Sequence, residues 1–283
     1  APMAKRTKSK KKTARASKYS AKTADRHVLY QMAVQNPEAE IDFVDAWFKS
    51  RRKRRAVTLR EDFCGTGYTA CEWVKRRPAN VAVGLDIDQP TLDWGLANNV
   101  SKLKPAQQSR LRLLNADVRT PPKSGKGVDV VLAMNFSYWL FKTRDAMREY
   151  FKTVRESLNA DGIFFLDHYS GYESMKETRE RRDIEGKFTY IWEQHRYNPI
   201  TGHMDCLIHF AFKDRTRLNN AFTYSWRLWT LPELQELLTE AGFKNVTVHC
   251  EGEGDDGEGD GHFVPATECD ADPAFLSYLS AEK

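Results

Sequence analysis

Apolar positions in the first part of the chain recur at the spacing of helices. Between residues 23 and 48 they fall three or four positions apart, first around Val28 and Met32 and again from Ile41 to Phe48. Side chains at this spacing share one face of a helix, and Pro37 interrupts the pattern. The pattern therefore predicts two helices that are separated at Pro37.

From residue 56 onward, short apolar runs alternate with stretches of helical periodicity, of which Arg144–Leu158 is the clearest. The runs that we interpret as strands are Ala56–Glu61, Val81–Asp86, Arg110–Asn115, Val128–Met134 and Gly162–Asp167. Alternation of buried strands with crossover helices is typical of a parallel sheet with helices on both faces. This part of the chain therefore predicts the core of a doubly wound α/β fold.

The periodicity changes after Ser170. Three segments rich in aromatic and β-branched residues follow, and the turn-forming run Asn198–Gly202 separates the first two; the segments are Lys187–Arg196, Met204–Lys213 and Ala221–Trp229. They predict an antiparallel meander inserted into the α/β fold.

A capping box at Thr230–Glu233 then predicts a helix that ends at Gly242. Val246–Cys250 and His262–Thr267 predict a hairpin around a loop of glycines and acids. The complete expectation is a seven-stranded sheet, in which a terminal hairpin follows five parallel strands.

Charge is distributed unevenly along the chain. The 283 residues contain 44 Lys and Arg and 39 Asp and Glu, for a net charge of +5, but residues 1–22 carry nine basic side chains and no acid. The remainder therefore has a net charge of 5 − 9 = −4, which argues against a uniformly basic surface for nucleic acid. We expect residues 1–22 to be a disordered arm. A second basic cluster lies at Lys49–Arg55.

Cysteine usage and hydropathy suggest a compartment. No apolar run approaches the roughly 18–20 residues of a membrane span, and no apolar segment follows the basic N-terminus as in a secretory signal. The five cysteines are odd in number and form no C-x-x-C pair; they are Cys64, Cys71, Cys206, Cys250 and Cys269. This predicts reduced thiols, no zinc site and a cytoplasmic location.

Candidate chemistry begins at the end of the first strand. Leu59–Gly67 (LREDFCGTG) leads a buried strand through an acid and two glycines into a helix that starts near Tyr68. Such a turn lets backbone N–H groups approach a ligand. A P-loop is excluded because no Gly-Lys-Ser/Thr follows, and the dinucleotide fingerprint fits badly because no third glycine follows Gly67.

The next three strands also end in polar groups. The second ends at Asp86-Ile-Asp88, the third at Asn115-Ala-Asp-Val118, and the fourth at Asn135-Phe-Ser-Tyr-Trp139. An acid at the tip of strand two is placed to accept the ribose hydroxyls of a nucleoside, and the ligand crevice of such sheets lies at this edge.

These four strand ends resemble those of the class I S-adenosylmethionine-dependent methyltransferases, over about residues 56–170. The resemblance implies S-adenosyl-L-methionine as cofactor and S-adenosyl-L-homocysteine as product, and no metal is expected. It places Gly65 and Gly67 at the methionine portion, Asp86 at the ribose and Asp117 at the adenine. Phe63 departs from the family, which usually has glycine there. The implied cofactor contacts are Glu61, Phe63, Cys64, Gly65, Thr66, Gly67, Asp86, Ile87, Asp117, Val118 and Asn135.

Catalytic and acceptor residues are sought at the same edge. His168 follows the fifth strand and is the first choice for a general base, although a structural histidine is an equal alternative. Tyr138 is the second catalytic candidate, and the predicted acceptor contacts are Tyr138, Trp139, Tyr169 and Arg227. Tyr19 and Tyr30 are candidates to approach the sulfonium. The aromatic meander predicts an enclosed small-molecule pocket that attracts amines, with packing alone as the alternative.

The expected organisation has five parts: the arm 1–22, an N-terminal helical cap 23–55, the core 56–170, a substrate-covering insertion 171–229, and a closing segment 230–283. The predicted function is methyl transfer to an N, O or S atom of a small molecule by in-line displacement. An RNA- or protein-directed enzyme that uses the basic arm is the alternative, and a cofactor-binding scaffold without catalysis is a third interpretation. No membrane partner is expected, and the oligomeric state stays open, a homodimer included.

Overall fold

The computed structural model describes residues 19–254 and 259–283 as two sheets with flanking helices. The helices are α1 Arg26–Ala33, α2 Pro37–Arg52, α3 Tyr68–Arg76, α4 Gln89–Asn98, α5 Pro105–Gln108, α6 Arg144–Ser157 and α7 Leu231–Glu240. The strands are β1 Thr58–Asp62, β2 Val81–Asp86, β3 Leu111–Asn115, β4 Val128–Ala133, β5 Leu158–Ser170, β6 Thr178–Ile184, β7 Phe188–Tyr197, β8 His203–Phe212, β9 Arg217–Arg227, β10 Lys244–Glu253, β11 Gly259–Ala266 and β12 Phe275–Glu282.

The large sheet has the order β11-β10-β12-β5-β4-β1-β2-β3, and its first five strands in the sequence are parallel. The predicted α/β doubly wound class is therefore confirmed. Helices cover both faces: α2 and α3 pack on one side around Phe48 and Trp73, and α6 and α7 pack on the other around Phe151 and Leu237. The strand order reverses at β1, between β4 and β2, where a doubly wound sheet forms its ligand crevice.

The sheet contains eight strands, whereas the sequence analysis predicted seven. The missed strand is β12, which lies antiparallel to both β5 and β10 and so moves the predicted hairpin β10–β11 to the edge. Its pattern was hard to recognise because three of its buried positions are polar, namely Ser277, Ser280 and Glu282. The parallel strands of this kind of sheet are recognised in a sequence by continuous apolar runs. The antiparallel strand β12 lies within the same sheet but has no such run.

The small sheet has the order β6-β7-β8-β9 and is antiparallel throughout. Three of its strands correspond to the predicted meander, and β6 is additional. The sequence of β6, TRERRDI, is dominated by charges, and six of its seven residues are partly or fully exposed. An edge strand of this kind has no apolar face, so its periodicity gave no signal.

The N-terminal segment 23–55 divides between the two sheets. Asp25 caps α1 by accepting from the backbone amide of His27 at 2.8 Å, and α1 packs through Leu29 on the small sheet. Pro37 begins α2 as predicted, but α2 packs against the large sheet. Only α1 therefore overhangs the crevice as a cap.

Part of the predicted basic arm is folded onto the small sheet. Residues 1–18 lie outside the described part of the chain, but Tyr19 packs its ring 5.7 Å from that of Phe188. The amide of Ala21 donates to Thr216 Oγ1 at 2.9 Å. The boundary predicted at residue 22 was therefore wrong for residues 19–22, because an aromatic ring anchors them.

Two of the five cysteines are paired, contrary to the prediction of reduced thiols. Cys250 in β10 forms a disulfide with Cys269, in the segment that precedes β12. Cys64, Cys71 and Cys206 are free and buried. The pairing depends on the β10–β11 hairpin folding back, so the sequence separation of 19 residues carried no signal. The cytoplasmic location stays a prediction. Within the described ranges, no helix combines the length and apolarity of a membrane span.

Candidate functional site

A cleft of about 400 Å³ opens at the carboxyl ends of β1, β2 and β4, under α1 and β9. Its floor is the turn after β1, and its roof includes Tyr30 from α1 and Phe222 and Tyr224 from β9. The cleft therefore lies at the switch point of the large sheet, and both sheets contribute to it.

The turn after β1 is held in a conformation that glycine favours. Phe63, Gly65 and Gly67 all have positive φ, at 56°, 53° and 65°. A side chain on Gly67 would place its Cβ 2.6 Å from the Cδ2 of Leu113. The left-handed φ of Phe63 gives a physical reason for the glycine usual in the family. Its ring packs 5.7 Å from that of Tyr150, which compensates for the strain.

Asp86, at the tip of β2, ties this turn to the neighbouring strand. Its Oδ2 accepts from the amide of Gly65 at 2.8 Å, and its Oδ1 accepts from the amide of Asp88 at 2.9 Å. The carboxylate lines the 400 Å³ cleft and also an adjoining cleft of about 630 Å³. Asp86 thus lies between the two clefts. A nucleoside bound at Asp86 would extend into one of them, and its substituent into the other.

The adjoining cleft contains the residues predicted to contact adenine. Ile87, with 73% of its surface exposed, lines it together with Asp117 and Val118. The carboxylate of Asp117 pairs with Arg119 at 2.6 Å, and these hydrogen bonds lower the pKa of Asp117. Val118 is buried beneath the cleft. The exposed side chain of Ile87 offers an apolar contact for a flat ring, and the neighbouring carboxylate of Asp117 offers a hydrogen-bond acceptor.

Two buried acids lie behind the glycine turn. Glu61 accepts from the amide of Ala70 at 2.9 Å, and Glu40 of α2 accepts from Thr69 Oγ1 at 3.3 Å. Burial raises the pKa of each carboxyl group to about 8, and the charge of Glu40 adds to the effect on Glu61. Both groups are therefore mostly neutral at pH 7 and would ionise beside a cation. Glu40 was missed because it lies on a helix far from any motif.

The overhanging helix α1 contacts the turn directly. Gln31 Nε2 donates to Thr66 Oγ1 at 2.9 Å, and His27 and Tyr30 line the cleft. Burial is the main cause that lowers the pKa of His27. Of these residues only Tyr30 was a candidate from the sequence, because the contact of α1 with the turn is long-range and leaves no local pattern. The other suggested tyrosine, Tyr19, packs on the small sheet instead.

The segment after β4 is held by a carboxylate from β5. Asn135 and Phe136 have φ of 58° and 55°, and their amides donate to the two oxygens of Asp167 at 2.7 and 3.0 Å. Burial raises the pKa of Asp167 to about 7, against the opposing effect of these hydrogen bonds. Asn135 lines the 400 Å³ cleft, which we call the cofactor-side cleft because it contains most of the residues predicted to contact the cofactor. Asn135 also lines two further cavities, so it lies where these spaces meet.

His168 does not reach the cleft, so its prediction as a general base was wrong. Its ring is fully buried, Nε2 donates to the carbonyl of Trp229 at 2.7 Å, and the Ser170 hydroxyl lies 3.0 Å from Nδ1. Burial lowers the pKa of His168 to about 4. Successive side chains of a strand point to opposite faces, and it is the neighbouring Asp167 that lines a cavity, the one of about 720 Å³ described below. The structure therefore agrees with the alternative interpretation, in which His168 is a structural histidine.

Three predicted acceptor residues are also packed away from the cleft. Tyr138 is buried and donates to the carbonyl of Asp167 at 2.6 Å, which also removes it as a catalytic candidate. Trp139 is buried with its ring 5.8 Å from that of Trp226. Arg227 lies 3.8 Å over the ring of Trp229 and pairs with Glu233 at 2.8 Å. These corrections have one cause, since each side chain is taken up by contacts within the protein.

Tyr169, the fourth acceptor candidate, does line a cavity. This space of about 160 Å³ adjoins the cofactor-side cleft, with which it shares Tyr30, Asn135 and Tyr224. We call it the aromatic cavity; its lining is Tyr30, Val34, Asn135, Phe136, Tyr169, Glu180, Tyr190, Trp192, Ile208, Tyr224, Trp226 and Ala274. On its far side a cavity of about 720 Å³ adds Glu40 and Asp167. In residues 19–254 and 259–283, no group of three or more His, Cys, Asp or Glu side chains has the arrangement of a metal site.

Comparison with known proteins finds a family that matches the central part of the chain. Residues 62–166 match the family model described as a methyltransferase domain. At the level of sequence, no curated protein matches the chain.

Similar solved structures share the fold over nearly the whole chain. An S-adenosylmethionine-dependent methyltransferase from Clostridium acetobutylicum is 16% identical, with a TM-score of 0.66 over 90% of this chain and 96% of that one. CalS10, an amino pentose methyltransferase from Micromonospora echinaspora, is 16% identical, with a TM-score of 0.62 over 90% and 95%. The sugar N-methyltransferase KedS8 from Streptoalloteichus is 16% identical, with a TM-score of 0.61 over 100% and 99%.

Proposed function

We propose that this chain is a class I S-adenosylmethionine-dependent methyltransferase and that it transfers a methyl group to an amine nitrogen of a small molecule. The observation that carries the proposal is the aromatic cavity, which adjoins the cofactor-side cleft at Asn135 and has no lysine, arginine or histidine among its described lining residues. A space of about 160 Å³ fits a head group and leaves no room for a folded macromolecule.

The residues on the cofactor side suit this cofactor. Gly65 and Gly67 would hold the methionine portion, Asp86 the ribose, and Asp117 with Val118 the adenine. Glu61 lines this cleft, and Glu40, whose charge acts on Glu61, lies behind the glycine turn. Two neighbouring buried acids with raised pKa values favour a ligand that brings positive charge, which supports this assignment. Of the remaining predicted contacts, Phe63, Cys64 and Thr66 line the same cleft, and Ile87 lines its extension.

When bound, the cofactor supplies a methyl carbon on a sulfonium, already activated for displacement. The chain's own residues then have three tasks: to orient the acceptor, to exclude water and to remove one proton. Asn135 and Phe136, fixed by Asp167, form the passage between the two spaces. Tyr30 and Tyr224, which line both spaces, close it from above.

A protonated amine must lose a proton before its lone pair can attack. We assign this step to Asp167, whose carboxylate accepts the proton and becomes a carboxylic acid. Two observations support the assignment: Asp167 lines the cavity beyond Asn135, and its pKa of about 7 suits proton transfer near neutral pH. Two proteins of similar structure, a sugar N-methyltransferase and an amino pentose methyltransferase, are consistent with a nitrogen acceptor.

The basic cluster gives little support to a macromolecular acceptor. Arg51 and Arg52 pair with Glu282 at 2.7 and 2.8 Å, and Arg54 pairs with Asp129 and Asp161, each at 2.8 Å. Charges neutralised in this way contribute little to phosphate binding. The remaining basic segment, residues 1–18, lies outside the described part of the chain.

The test is transfer of label from S-adenosylmethionine to the fractions of a cell extract. The purified protein, and a variant that lacks residues 1–18, are incubated with small-molecule, RNA and protein fractions. We expect label in amines of the small-molecule fraction, equally for both proteins. Label in RNA or protein that disappears with the truncation would instead establish the macromolecular alternative.

A further inference from the structure

The aromatic cavity is lined mainly by aromatic rings, of which Tyr224 and Trp226 stack on each other with 4.4 Å between their centres. The rings of Trp192 and Trp226 are 6.2 Å apart, and those of Trp192 and Tyr224 are 6.4 Å apart, both pairs tilted. Phe136 stands edge-on to Trp226, with 6.2 Å between the ring centres. Together with Tyr169 and Tyr190, these rings provide π surface on several sides of one small space.

A buried glutamine fixes the orientation of two of these rings. Gln194, almost fully buried, donates through Nε2 to the carbonyls of Glu173 and Lys176 at 3.0 and 2.6 Å. Its Oε1 is thereby turned to accept from the Tyr169 hydroxyl at 3.1 Å and from Trp192 Nε1 at 3.4 Å. With their polar ends satisfied, the two side chains are free to present their ring surface to the cavity.

Glu180 supplies the single formal charge in the lining. It lies on β6 directly opposite Trp192 of β7, and no hydrogen bond or ion pair of Glu180 occurs within the described residues. The nearby Arg182 does not line the cavity; it donates to the carbonyl of Ala33 and its guanidinium lies 5.3 Å over the ring of Tyr190, so it occupies one face of that ring. An unpaired carboxylate beside ring faces attracts a cation of low hydration.

We propose that the aromatic cavity binds an alkylammonium group, and that it keeps binding this group after N-methylation. Ring faces attract the positive charge without requiring N–H donors, so replacing N–H by N–CH₃ removes little of the attraction. The inference rests on the proposed function, because the cavity adjoins the methyl-transfer position at Asn135. It implies that one nitrogen can be methylated more than once, with a fresh cofactor molecule and the loss of one proton for each transfer.

The test compares choline with 3,3-dimethylbutan-1-ol, which has the same shape and hydroxyl group but no charge. Binding of each is measured by calorimetry without cofactor, on the full chain. We expect choline to bind about tenfold more tightly than the neutral isostere. Glu180→Gln should weaken choline about threefold and leave the isostere unchanged, whereas the nearby Glu177→Gln should alter neither. Trp192→Leu should weaken choline more than the isostere.

Equal binding of the two ligands, or a choline affinity that Glu180→Gln leaves unchanged, would overturn the inference. Glu180 is exposed, so its variant tests the site without endangering the fold. A separate titration with S-adenosylmethionine distinguishes the two levels of the argument. Absence of cofactor binding would contradict the proposed function, while absence of the preference for choline would contradict only the ammonium site.

Discussion

The two walls of the cleft differ in the groups that they turn towards a ligand. The wall from the large sheet offers the acids Glu61 and Asp86 at the ends of neighbouring strands, beside a glycine turn whose conformation is fixed by internal hydrogen bonds. The opposite wall, from α1 and the small sheet, offers mainly aromatic rings. We expect the first wall to recognise a ligand by hydrogen bonds of fixed direction, and the second by non-directional attraction.

This difference predicts how each wall responds to mutation. A directional site in a tight turn loses function when a single atom is added or removed, because neither backbone nor partner can move to compensate. A wall of several rings loses affinity gradually, because the remaining rings still cover the ligand. Single changes should therefore have large effects on cofactor affinity and smaller effects on acceptor affinity.

The largest effect is expected for Asp86→Ala. Removing this carboxylate eliminates the acceptor for Gly65 and the proposed partner of the ribose, and charged hydrogen bonds are worth about 1.5–3 kcal/mol each. We expect the Kd for S-adenosylmethionine, measured by calorimetry, to rise about 100-fold. Asp93→Ala, an exposed change on α4, serves as the control and should leave the Kd within twofold. A variant with unchanged affinity would remove Asp86 from the cofactor site.

The next effect concerns catalysis. Asp167→Asn should lower kcat about 30-fold and abolish the rise of kcat with pH around 7, because the carboxylate must be ionised to accept a proton. His168→Gln should preserve that pH dependence, because the histidine is buried and has a pKa of about 4. Survival of the pH dependence in Asp167→Asn would assign the proton to another group.

A smaller effect tests the rigidity of the turn. Gly95 of α4 lies so close to the turn that a Cβ there would be 2.3 Å from the carbonyl oxygen of Thr66. Gly95→Ala should therefore displace the turn and raise the cofactor Kd about tenfold, although glycine to alanine ordinarily stabilises a helix by about 0.5–1 kcal/mol. Leu96→Ala, at the exposed neighbouring position, is the matched control. If Gly95→Ala bound the cofactor as tightly as the wild type, the turn would have to shift without loss of affinity to make room for the added methyl group.

The smallest effect on the cleft is expected from the disulfide. Cys250–Cys269 joins the edge hairpin to the segment before β12, and closing a loop of this size contributes about 3 kcal/mol to the free energy of unfolding. A reductant should lower the midpoint of denaturant unfolding while the cofactor Kd stays within twofold. The double variant Cys250→Ser/Cys269→Ser should be equally destabilised and insensitive to the reductant. If the reductant destabilised this double variant as much as the wild type, the destabilisation would have a cause other than this disulfide.

The same contrast explains what the sequence could predict. The turn from Phe63 to Gly67 and the acid at Asp86 are signalled locally, as a strand that runs into glycines or ends in a carboxylate. At β5 the sequence located the right strand end but selected His168 instead of Asp167, because which face a residue occupies depends on register. Tyr138, Trp139 and Arg227 show the same limit, since tertiary contacts that leave no local pattern hold their side chains away from the cleft.

Long-range features were missed for related reasons. Glu40 and Gln31 reach the turn from helices that no motif connects to it. The strand β12 lacks a continuous apolar run, and the Cys250–Cys269 pair depends on how the edge hairpin folds back. Side chains brought together by tertiary packing, such as the rings of the aromatic cavity, can be expected as a class from composition, but their arrangement cannot.

The most direct test of the wall from the large sheet is the number of protons released when S-adenosylmethionine binds. With pKa values of about 8, Glu40 and Glu61 are protonated in the free protein at pH 6.5 and should ionise beside the positive charge of the ligand. Calorimetry in buffers of different ionisation enthalpy should show that one molar equivalent of S-adenosylmethionine binds and that protons are released. Glu40→Gln should reduce the number of protons released, and the exposed Glu38→Gln should leave it unchanged. Absence of binding, or binding without proton release, would contradict the account.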